Sequence, residues 1–174
     1  MANNYIKMLT DYNTTHFSCN NCPAKLVNYG QEYICKGIGN INSNTMIIYP
    51  TYISINRNKF NELTDIICNA YFNKYGISAL EHIYITPVIK CYIKETPYDI
   101  TGAILEKCAI KTISEYINHG YPNKIICLGD SKDIAMLFPK QASIIYKIPC
   151  KYLIFSKNDN THKNAFISEL INIL

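Results

Sequence analysis

An α/β fold with a mostly parallel central sheet is what this sequence predicts, and three observations predict it. Short apolar runs rich in Ile and Tyr alternate with longer segments whose apolar residues recur at helical spacing. The first of these runs stop at a Pro or a Gly, residues that punctuate strands. Of the 174 residues, 48% are apolar and only 17% charged, which suits one globular domain over residues 1–174 and excludes a disordered chain.

The elements follow in order. Thr45-Met46-Ile47-Ile48-Tyr49 reads as a buried strand ending at Pro50. Asn58 to Tyr75 sets Phe60, Leu63, Ile67, Ala70 and Tyr71 on one helical side, and Gly76 suits the C-terminal cap. His82 to Thr86 is a second strand, closed by Pro87. A helix from about Ile104 to His119 carries Ile104, Cys108, Ile113 and Ile117 on its apolar side, and Gly120 ends it. Lys124 to Leu128 is a third strand. Gly129 makes the turn, and Asp130 or Ser131 caps a helix running to Phe138. Ser143 to Ile148 reads as a short extended stretch, Lys151 to Phe155 as a fourth strand, and Asn164 to Leu174 as a final helix. Strand and helix alternate throughout, as in an α/β sandwich. Ligands of such sheets sit beyond the carboxyl ends of the strands, here Tyr49–Asn56, Pro87–Cys91, Gly129–Ser131 and Ser156–Lys163.

The net charge of +4 tolerates a polyanion without identifying one, and Arg57 is the only arginine, so phosphate contacts would come mostly from Lys. The usage of Ile, Lys, Asn and Tyr is that of an AT-rich coding genome. Met1 to Asp11 shows no apolar leader run, and no stretch reaches the roughly 18 apolar residues that span a bilayer. The expected location is the cytoplasm, or the host cytoplasm if the chain is viral, with no membrane partner. In such a reducing compartment eight cysteines point to metal or catalysis before disulfides.

Cys19-Asn20-Asn21-Cys22 is a CxxC pair that can chelate one metal centre from a single turn. Cys91 follows the second strand, and Cys108 comes after sixteen intervening residues. The spacing leaves three readings open. Four thiolates are the usual ligands of an iron–sulfur cubane. Structural zinc also takes four, commonly as two short-spaced pairs. Cys91 and Cys108 are otherwise small buried hydrophobes. Cys35, Cys68, Cys127 and Cys150 read as structural, with Cys35 the substitute ligand nearest the first pair. His16, His82 and His119 have ordinary explanations in a terminus, a strand start and a helix end.

With CNNCPAKLV at 19–27, YITPVIKC at 84–91, EKC at 106–108 and KIICLGDSKDIAMLF at 124–138, the chain resembles the iron–sulfur uracil-DNA glycosylases of bacteria and archaea. Order and spacing fit over roughly residues 15–174. The resemblance implies a three-layer sandwich around a four-stranded parallel sheet. It implies a structural 4Fe–4S cluster on Cys19, Cys22, Cys91 and Cys108, with zinc as the alternative metal. It also implies a DNA groove with a pocket for a flipped base, because the glycosidic carbon is inaccessible in a stacked duplex.

The catalytic motifs depart from that pattern. Where the family has a GEAPG-type loop, this chain has Tyr49-Pro50-Thr51-Tyr52, without the glycines or the carboxylate, and Tyr49 and Tyr52 would fill space. The family's Gly-x-Pro-Phe segment, whose Phe stacks on the base, is replaced by Ser54 to Phe60. The Asn that reads uracil is Pro87, which has neither a side-chain donor nor an N–H. The family's His-Pro-Ser corresponds to Ser156 to Lys163: His162 takes the His role if the loop is longer than usual, and otherwise Asn158 fills the slot.

Three functions are therefore expected, in this order. The first is a DNA-binding protein on a glycosylase fold repurposed for DNA recognition or replication, with a replication or repair protein as a further partner. The second is an active, divergent uracil-DNA glycosylase in which Asp159, Glu62 or Asp65 holds the water and Tyr52 or Phe60 stacks. The third is a protein-interaction module.

Overall fold

The computed structural model describes residues 37–50, 57–90, 108, 111–112, 115, 122–131, 144–149 and 160–174, with 57 and 130 by backbone alone. Its centre is a five-stranded mixed sheet in the order β1-β3-β2-β4-β5. The strands are β1 (Ile38–Gly39), β2 (Thr45–Tyr49), β3 (Tyr84–Pro87), β4 (Lys124–Leu128) and β5 (Ile144–Ile148). The described α-helices with printed bounds are α1 (Arg57–Tyr75), α2 (Ala79–His82) and α3 (Asn160–Ile173). Cys108, Lys111, Thr112 and Glu115 are also helical.

The α/β class expected from the sequence holds, and its details need four corrections. β2, β3, β4 and β5 run parallel, but β1 adds an antiparallel edge on β3, so the sheet is mixed and five-stranded. The strand beyond β4 is Ile144–Ile148, where only a short extended stretch was expected; 151–155 lies outside the described residues. His82 belongs to α2 and not to β3, and Pro87 is the last residue of β3 and not its terminator. Pro is tolerated there because β1 pairs only with Tyr84 and Ile85, so no ladder bond is lost on that side. Helix α3 starts at Asn160, inside the segment expected to be loop.

Burial explains the strands. Met46, Ile47, Ile48 and Tyr49 are all fully buried, as are Ile125 to Leu128. Strands covered on both faces favour continuous apolar runs over alternation. One face presents Ile47, Tyr49, Ile85, Ile126, Leu128 and Ile148 to a core that includes Phe60, Leu63 and Ile67 of α1 and Phe166 and Leu170 of α3. On β3 the alternate residue Thr86 meets Glu115 of the helical segment.

β1 depends on one glycine. Gly39 has φ +94°, and a Cβ there would lie 2.2 Å from the Ile83 carbonyl oxygen. That same oxygen accepts the Asn40 N–H at 3.1 Å, while Asn40 Nδ2 donates to the Glu81 carbonyl. The chain end is held as well: Lys124 Nζ donates to the Ile173 carbonyl at 2.7 Å, suiting the negative end of α3.

Candidate functional site

The strand order places a candidate ligand edge. From β2 the chain crosses to β3 on one side; from β4 it crosses to β5 on the other. The reversal falls between the carboxyl ends of β2 and β4, where open α/β sheets bind ligands. Ser131 closes this point from the 3-10 turn Gly129–Ser131, donating from Oγ to the Ile48 carbonyl at 3.0 Å.

Beside it, space is taken by aromatic side chains. Tyr49 is fully buried, and its ring lies 4.9 Å from that of Phe60 between centroids, tilted by 54°. Tyr49 Oη and Thr64 Oγ1 are 3.0 Å apart, and Thr64 Oγ1 donates to the Phe60 carbonyl at 2.8 Å. Since the threonine proton goes to that carbonyl, the tyrosine hydroxyl is the donor to Thr64. Pro87 is buried next to Tyr49 in register. Of the four residues that stand at the expected base-pocket positions, Tyr49, Phe60 and Pro87 thus come together; Tyr52 lies outside the described residues.

The expected catalytic residues are less gathered. His162 is exposed in the first turn of α3, and Asn158 and Asp159 lie outside the described residues. Glu62 and Asp65 are exposed on α1.

Of the four expected metal ligands, Cys19, Cys22 and Cys91 lie outside the described residues. Among the described residues no group of three His, Cys, Asp or Glu side chains converges as a metal site. Cys108 is described and is buried on the helical segment. It is 5% exposed, and its sulfur accepts the backbone N–H of Lys90 at 3.5 Å. Amide donors to cysteine sulfur are a standard means of tuning iron–sulfur centres. The residue after Lys90 is Cys91. Cys68 and Cys127 are free thiols within α1 and β4, and burial raises both; Cys127 is pushed up to about 12. Protonated thiols are poor ligands and nucleophiles, in keeping with structural roles.

An ionic cluster that the sequence did not reveal adjoins Cys108. Lys90, 7% exposed, donates from Nζ to Glu115 Oε2 at 2.7 Å and to Thr86 Oγ1, and Thr86 Oγ1 donates to Glu115 Oε2. Tyr84 shares the neighbourhood: burial first, and then the Glu115 charge, push its hydroxyl up to about 12. The one available signal was a Lys following Val88-Ile89 in a buried run, which requires an opposite charge nearby.

No helix among the described residues is long and apolar enough to cross a membrane. No family model matches this chain, and no curated protein matches it.

Proposed function

We propose that this chain is a DNA-binding iron–sulfur protein with the uracil-DNA-glycosylase fold, repurposed for DNA recognition or replication, with base excision lost or altered. The supporting observation is the approach of the segment after β3 to the buried Cys108 sulfur, seen in the Lys90 N–H bond. Cys19, Cys22, Cys91 and Cys108 would hold the cluster. When bound, it supplies a rigid cross-link between distant segments and no redox step.

Tyr49, Phe60 and Pro87 support the reading that excision is lost or altered. A flipped base needs an open pocket, edge donors and an activated water. At the carboxyl end of β2 stands a fully buried tyrosine already bonded to Thr64. The neighbouring Pro87 has no donor to offer. DNA would be held by lysines against phosphates, a contact that weakens as salt rises. A replication or repair protein is the further partner of such a module.

The test pairs two measurements on anaerobically purified full-length protein. Fluorescence anisotropy with single-stranded DNA should show affinity that falls steeply between 50 and 200 mM salt, on the order of tenfold or more. Uracil-containing DNA should yield no abasic product. Abasic product at stoichiometric enzyme selects the active glycosylase; no DNA binding together with a co-purifying protein selects the interaction module.

A further inference from the structure

We propose that the surface around Tyr75, at the end of the sheet opposite the candidate ligand edge, binds single-stranded DNA by stacking its bases. This deepens the DNA-binding part of the reading above, rests on that part, and is independent of the cluster.

Helix α1 sets the place. It begins near the carboxyl end of β2, where Phe60 meets Tyr49, and ends beside His82, just before β3 starts. Its 19 residues span about 28 Å, so the surface lies a helix length from that edge. Aromatic rings gather there. The Tyr71 and Tyr75 rings lie 4.6 Å apart between centroids, and the Tyr71 ring is stacked with His82 at 6.2 Å, with 11° between the planes. Phe72, three residues before Tyr75 and so on a neighbouring turn, is 58% exposed, and Tyr75 is 41% exposed. His82 is exposed as well. Lys74 Nζ sits 5.0 Å from the Tyr75 ring centroid. It donates to the Ile171 carbonyl near the end of α3 and, among the described residues, to no other acceptor, which leaves N–H groups for a phosphate. Lys124 reaches the same end of α3 through the Ile173 carbonyl, with its Nζ 6.0 Å from the Tyr146 ring.

This combination fits unpaired bases on a phosphate chain. Exposed rings offer π faces on which any base stacks, and ammonium groups beside them meet phosphates. Packing of the rings on one another accounts for Tyr71, Tyr75 and His82. It does not account for the exposed Phe72 beside them, nor for the ammonium held at the outer ring. An apolar protein partner would strip water from both lysines without pairing them, whereas a phosphate chain pairs them. Glu81 and Glu169 are also exposed at this end, so stacking, more than net charge, supplies the affinity.

The experiment uses the full chain and a fluorescein-labelled oligothymidylate, read by anisotropy, with a duplex of equal length as competitor. Phe72→Ala and Tyr75→Ala should each weaken binding about fivefold or more, the share of one stacked base. Lys74→Gln keeps a donor for Ile171 and should reduce the salt slope by about 0.7, one phosphate contact. The chain has no tryptophan, so Phe72→Trp adds a single reporter. It should bind like the wild type, and the oligothymidylate should quench its emission. Lys59→Gln, at the other end of α1, should also bind like the wild type. The duplex should compete poorly, because its base faces are covered. Wild-type affinity in both Phe72→Ala and Tyr75→Ala overturns the proposal, as does an unquenched tryptophan in the bound protein or a duplex that competes equally. Binding lost in Lys59→Gln alone overturns it too and assigns the DNA to the ligand edge. Wild-type DNA affinity in Tyr75→Ala together with loss of a co-purifying protein gives the surface to a protein partner, against the proposal. If Tyr75→Ala does not fold, Phe72→Ala and Phe72→Trp decide. A wild-type chain that binds no DNA overturns the DNA-binding reading itself, and this surface with it.

Discussion

Tyr49 offers a direct test of how the carboxyl end of β2 is filled. Its side chain is fully buried, its ring meets Phe60, and its hydroxyl meets Thr64. Tyr49→Ala removes a buried aromatic and leaves a cavity, a change of about 3–5 kcal/mol. Against a domain stability of ~5–15 kcal/mol that is a large fraction. For a chain of this size each kcal/mol moves the midpoint by about 2–4 °C, so a fall of roughly 6–20 °C is expected. Tyr49→Phe keeps the ring and loses only the donor to Thr64, costing about 0.5–1.5 kcal/mol. Thr64→Val removes the other half of the pair, and the double variant should cost less than the sum of the singles. The assay is thermal unfolding by circular dichroism of the full chain at matched iron content. Tyr49→Ala within about 2 °C of the wild type would refute the packing argument, and strict additivity of Tyr49→Phe with Thr64→Val would refute the hydrogen bond. Under the proposed function the Tyr49→Ala protein should still release no uracil, because Pro87 lacks a donor.

Two further predictions concern the frame. Gly39→Ala forces a Cβ against the Ile83 carbonyl at a positive φ, so it should cost about 1–3 kcal/mol and expose the β1 amides to hydrogen exchange; an unchanged midpoint would contradict this. Stability should also fall as pH rises from about 9 towards 12. The Cys127 thiol is raised from 9.0 to about 12 and the Tyr84 hydroxyl from 10.0 to about 12, so both stay protonated in the folded chain while the unfolded chain ionises. The unfolded state then binds fewer protons, and each pH step in this window favours it. Denaturant titrations at pH 8, 10 and 11 check the slope. Cys127→Ala should flatten it, and a profile level through pH 11 would be inconsistent with the burial of these groups.

What the sequence made legible follows from burial. β2 and β4 were readable because both faces are covered, so they are unbroken apolar runs. α1 was readable because Phe60, Leu63, Ile67 and Ala70 keep helical spacing on one face. β5 read only as an extended stretch, since Ile144 is 63% exposed and the run lacks a consistent buried pattern. β1 is two residues long and one is glycine, too little for any period to show. The first turn of α3, Asn160 to Lys163, is wholly polar and resembles loop. At the site, the cysteine spacing was visible in one dimension. The Lys90–Glu115 pair was not, because its partners are twenty-five positions apart and only the fold brings them together. Tyr49 was recognised as space-filling from the missing glycines, while its bond to Thr64 needed the helix α1 in three dimensions.

Elemental analysis tests the proposed iron–sulfur centre directly. Full-length protein isolated without oxygen should contain about four iron and four acid-labile sulfide per chain and be brown, and Cys108→Ala should be colourless and nearly iron-free. Wild-type protein carrying zinc or no metal, or a Cys108→Ala protein that keeps its colour and iron, would contradict the account.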